Sequence, residues 1–253
     1  VHLEAGAMPA AGGAPSWSTV ENLVEHRSRA YEYLKHVQQG DTHWLSTVAL
    51  GPQEQPLQRA VDQTTVLRWF YLGLSIGPLL QLPSGPPFVK AILQLLEEYQ
   101  YHFSNRAAHI AKIVKAGVQV RHRYLGHEKA EAGGGSVEEL KPQLQRVSGE
   151  VLYAYLLTPH MAHPLSASQV LTCLCELLPH CYRKLGEPGP SPPTPALAEA
   201  VLRIDTIVSE HLLPVTAKHL NACSQGVLQQ SLSRADPLFA RLVVAGETGD
   251  AIE

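Results

Sequence analysis

Gly73-Leu74-Ser75-Ile76-Gly77 is the stretch of this chain that comes nearest to a catalytic motif. It fits the G-x-S-x-G elbow, in which glycines permit a strained strand-to-helix turn that exposes a serine hydroxyl for nucleophilic attack. The preceding VLRWFYL can be read as a buried strand, and Asp205 with His211 or His219 follow in the order that hydrolases use. The reading is a serine hydrolase built on Ser75. Its context weighs against it. The elbow needs a helix directly behind it, and Pro78 and Pro83 leave only a stub. The plainer reading is a helix passing through small residues towards a proline.

Cys173-x-Cys175, followed by His180-Cys181, raises the question of a metal. Zinc takes thiolates whose spacing lets both reach one tetrahedral ion. Two positions apart on a helix point to different sides, so these sulfurs read as small apolar packing. His160 and His163 lie around a turn, and Cys223 stands alone. The pairs Glu97-Glu98 and Glu138-Glu139 read as surface charge. No catalytic residue, metal ligand or cofactor is assigned.

A third pattern is electrostatic. Between Glu98 and Glu128 there is no acidic residue, while Arg106, Lys112, Lys115, Arg121 and Arg123 are interspersed with histidines. Such a run could dock an acidic protein surface, a phosphate backbone or a lipid headgroup. The aromatics nearby are not interleaved as a base-stacking platform, so a protein partner ranks ahead of nucleic acid and anionic lipid. A solvated helix face whose cations complement the helix dipole would look the same.

These residues need elements to carry them. From Phe88 to His127, Val89, Ile92, Leu96, Tyr99, Phe103, Ile110, Ile113, Val120 and Tyr124 lie on one alternating three-and-four series, broken only at Arg106 and Gly117. That spacing predicts one long helix with a single apolar stripe. Around it the sequence predicts seven or eight helices, an all-α antiparallel bundle or irregular solenoid. Ser18 with Glu21, and Ser166 with Gln169, have the spacing of capping boxes. Gly40 is a natural left-handed stop. Asp41 suits the cap of a short piece over THWLSTVAL, and Pro56 the first helical position of the element that carries Ser75. LQRVSGEVLYAYLL reads as helical. Thr194-Pro195 starts a helix bent at Pro214, with a separate last helix from Val227.

The predicted organisation is a disordered leader over 1–15, a helical half over 16–127, a flexible loop over 128–136, a second helical half over 137–245 and a tail over 246–253. With 253 residues and 45% hydrophobic content, either one large or two small cores can form. A net charge of −3 gives no global pull towards nucleic acid or membrane. Four cysteines are too few for a disulfide framework and favour an intracellular setting, cytoplasmic or nuclear. No window has the ~20 apolar residues of a membrane span. The start, VHLEAGAMPAAGG, reads as the cut edge of a longer protein. The function expected is a non-catalytic interaction module, a segment or subunit of a larger assembly, binding other proteins.

Overall fold

The computed structural model describes residues 15–50, 61–104, 140–147, 150–190 and 192–235. Among these residues the fold is predominantly helical, with five helices rather than seven or eight: α1 (Trp17–Gln39), α2 (Gln63–Leu79), α3 (Pro86–Phe103), α4 (Ala167–Leu185) and α5 (Pro195–Ala235). Two antiparallel hairpins interrupt them, β1 (His43–Trp44) with β2 (Val48–Ala49), and β3 (Gln145–Val147) with β4 (Glu150–Leu152).

α3 is shorter than its sequence pattern predicts. Val89, Ile92, Leu96 and Tyr99 of the stripe are buried and Phe103 is partly so. The helix then ends, because Ser104 turns extended at φ −85° and ψ 147°. The predicted continuation over 105–127 lies outside the described residues. The longest helix is instead α5, with 41 residues. It runs through Pro214 and Gly226, where two helices were expected. Pro214 is exposed, so its ring and missing N–H fall on the solvent side.

Both hairpins replace expected helix. Leu45 and Ser46 take positive φ, 49° and 59°, which closes the turn between β1 and β2. Positive φ at both central residues is what a tight hairpin turn requires. Tyr33 of α1 holds that turn, its hydroxyl donating to the His43 carbonyl and accepting from Leu45 N–H, at 2.9 and 2.8 Å. In the second hairpin Val147 pairs with Glu150.

Caps were partly legible. Gly40 is left-handed at φ 81°, with Asp41 N–H returning to the His36 carbonyl. Glycine is the usual residue at such a stop. Ser166 caps α4 through Gln169 N–H. The Ser18–Glu21 box does not form, since α1 begins at Trp17 with Ser16 in the cap position. α2 starts at Gln63 rather than near Pro56. Its cap is Asp62, which accepts from Thr65 N–H at 2.9 Å and from Thr65 Oγ1 at 2.7 Å. A cap of this kind satisfies a backbone donor that the helix start leaves orphaned. Those bonds, the hydroxyl's first, hold the Asp62 carboxyl below its usual range.

α4 packs on α1 and on α2, α3 packs on α2 and α5, and α5 also touches α1. One hydrophobic cluster results, with Tyr31, Trp69, Ile92, Leu96, Leu178 and Val201 among its buried members.

Candidate functional site

Residues 153–165 connect β4 to α4 with no helix or strand of their own. Their backbone N–H and C=O groups need partners from elsewhere. The partners are side chains on α2 and α3 at helical spacing. Gln94, Glu98 and His102 sit at i, i+4 and i+8 on α3, and so share one face. Gln63, Tyr71 and Ser75 lie on α2 at i, i+8 and i+12. We call residues 140–165 the strap.

Glu98 is the strongest pin. Its side chain is fully buried. Each carboxylate oxygen accepts two hydrogen bonds. Oε1 takes Gln94 Nε2 at 2.8 Å and Ala154 N–H at 2.9 Å. Oε2 takes Tyr155 and Leu156 N–H, both at 2.9 Å. A buried charge without such donors would be strongly destabilising. Glu98 is therefore a structural anchor, and the surface-charge reading of Glu97-Glu98 is corrected for this member. Glu97 lies 3.8 Å from Arg203 Nη2.

Two glutamines act as pieces of strand. The Gln94 amide gives Nε2–H to the Gln143 carbonyl at 2.9 Å and accepts Gln143 N–H at 2.8 Å. Gln63 repeats the pattern on Leu165, at 3.3 and 3.2 Å. Tyr71 donates to the Pro159 carbonyl at 3.0 Å. His102 Nδ1 lies 3.1 Å from the Tyr153 hydroxyl. Burial lowers the basicity of that imidazole. Apart from His102, every pin reads main chain.

Ser75 belongs to this set. It lies inside α2, is 1% exposed, and its Oγ accepts Leu157 N–H at 2.9 Å. The elbow geometry is not met, because helix surrounds the serine on both sides. The residues expected to complete the hydrolase set are also dispersed. Asp205 accepts Arg27 Nε at 2.7 Å, Arg27 Nη2 at 3.0 Å and the Tyr182 hydroxyl at 2.8 Å. The His211 ring meets the Tyr99 ring edge-on at 5.5 Å. His219 Nε2 lies 3.4 Å from Cys223 Sγ, so Cys223 does not stand alone. Burial lowers the His219 pKa and raises that of Cys223.

Gly73 serves packing: a Cβ there would meet Leu174 Cδ1 of α4 at 3.4 Å, while one at Gly77 would meet nothing within 4 Å. Beside Gly73 an apolar groove of about 460 Å³ opens between α2 and α4, lined by Trp69, Phe70, Leu74, Leu165, Val170, Leu174 and Leu177, with Ser166, Gln169 and Cys173 at its polar points. Leu74 is 37% exposed there. Cys173 is exposed, whereas Cys175 and Cys181 are buried with their thiols pushed up to about 12 by desolvation. His160 and His163 are both exposed.

Arg106, Lys112, Lys115, Arg121 and Arg123, the expected basic docking surface, lie outside the described residues. Among the described residues no group of three His, Cys, Asp or Glu could hold a metal ion, and no helix is long and apolar enough to cross a membrane. The chain matches no protein-family model, no curated protein and no solved structure.

Proposed function

We propose that the chain is a non-catalytic helical interaction module, part of a larger assembly, which recognises another protein through surface shape. The observation that carries this reading is the open apolar groove between α2 and α4, with Leu74 exposed at its edge. Its volume and lining are those of a site that takes apolar side chains from a ligand. The polar groups with chemical potential support the same reading: Ser75, Glu98 and Asp205 are all engaged in holding the fold.

The test uses Leu74→Arg, an exposed position where the fold tolerates charge. Proteins captured from cells by the wild type should be lost by this variant at unchanged thermal stability. In the purified complex, alkylation of Cys173 should slow, because the thiol lies on the groove. Equal capture by both proteins, or Cys173 alkylation unaffected by the bound partner, would overturn the proposal.

A further inference from the structure

We infer that the face of α2 and α3 beneath the strap is a reader of bent polypeptide main chain, occupied in cis by residues 154–157 and open to a partner's segment in trans. The inference rests on the interaction-module reading and names the partner's chemistry. Glu98 accepts three consecutive backbone N–H groups, and Ser75 accepts the fourth. None of these bonds depends on which side chains the strap carries. A competing segment needs four successive non-proline residues and an apolar side chain at the third, where Leu156 is buried.

Adhesion of the strap is mainly polar. Leu156 is the one residue between 151 and 165 in the buried core, while Leu152, Tyr155 and Leu157 are 57%, 36% and 44% exposed. With Leu156 buried and Tyr153 and Leu165 only partly buried against the core, the segment opens at lower free energy than the helices beneath it. Opening alone would cost the Glu98 carboxylate three of its four donors, leaving Gln94 Nε2. The face therefore favours exchange of one main chain for another over standing empty. The adjoining groove shares Leu165 with the strap, so a partner seated there lies next to the segment it would displace.

The experiment uses the full chain and a fluorescent acetylated peptide of residues 152–159. Cis occupancy lowers the apparent affinity of a trans ligand by the competent fraction. In Leu156→Ala, amides 154–157 should exchange faster while α2 and α3 stay protected. The peptide should bind that variant at least about tenfold tighter than the wild type. A peptide carrying Tyr155→Pro, which lacks one donor to Glu98, should bind about tenfold more weakly. Should Leu156→Ala fail to protect α2 and α3, the chain variant Tyr155→Pro, at an exposed site, is read the same way. Unchanged exchange at 154–157, no peptide binding to an opened strap, or equal binding of both peptides overturns the inference. Dimerisation by light scattering would assign the face to a second copy of the chain and equally overturn it. Capture that depends on Leu74 survives all of these failures, so the two proposals fail separately.

Discussion

Four hydrogen bonds converge on the Glu98 carboxylate, and that arrangement sets what its removal does. Glu98→Ala strands three strap N–H groups under Leu156 and should lower unfolding free energy by about 3 kcal/mol in urea titration. Glu98→Gln keeps the volume but points an NH₂ at backbone donors, so it should recover little. A variant within experimental error of wild type would contradict the geometry. Histidines give a second prediction at this scale. Burial lowers the folded pKa of His102 and His219 below the ordinary imidazole value. Above that value both states are neutral and stability is complete. As pH falls through it, the unfolded chain binds protons that the folded chain refuses, and stability declines until the folded imidazoles titrate. The urea midpoint should fall between about pH 7.5 and about pH 5.5, less steeply in His219→Gln. Sequence reading missed Glu98 for a definable reason. Adjacent carboxylates suggested solvated charge, and the signal that mattered was the fourfold spacing from Gln94 to Glu98 to His102.

Between elements, two glycine loops nest against each other. Gly85 has φ +88° and ψ −147°, and a Cβ there would meet the Pro188 carbonyl oxygen at 2.5 Å. That region of backbone space is open to glycine alone. Gly189 has φ +81°, and a Cβ there would meet the Ser84 carbonyl oxygen at 2.8 Å. Ser84 Oγ also donates to Glu187 across the same contact. Gly85→Ala should cost about 2–3 kcal/mol in thermal or urea unfolding. The double variant with Gly189→Ala should cost less than the sum, since both disturb one contact. Pro214 makes an opposite case. It is exposed within α5, so Pro214→Ala should raise the melting temperature by restoring a helical N–H. A lower melting temperature would mean that α5 is bent there for packing. Element type was legible where apolar spacing ran long, as in α1, the first part of α3, α4 and α5. It failed where the decisive interaction was distant. Tyr33 holds a hairpin turn that no Asn-Gly announces, and the strap takes its hydrogen bonds from helices far away in sequence. A break was expected before Val227, where a helix packed along one side instead continues through Gly226.

At the scale of the whole molecule, α1 and α5 are joined by a buried ion pair. Arg27 and Asp205 are 178 positions apart and are 4% and 7% exposed. Nothing local in the sequence links them, because a salt bridge between distant helices leaves no periodic trace. Burial works against the Arg27 charge, but Asp205 outweighs it and the guanidinium is held more firmly protonated than usual. Tyr182, whose ring lies 5.6 Å from that of Tyr31, donates to the same carboxylate and is pushed far up in pKa by desolvation. Two opposed expectations follow. Removing one partner leaves a buried uncompensated charge, so Asp205→Leu should cost about 3–5 kcal/mol. Removing both charges at once, in Arg27→Met with Asp205→Leu, should restore most of that loss, because desolvation of the pair offsets much of its attraction. A double-mutant cycle in urea separates the cases. Strong recovery means that the pair specifies how α1 meets α5 more than it stabilises the fold. A double variant as unstable as Asp205→Leu alone would mean that the network of Arg27, Asp205 and Tyr182 is a net source of stability.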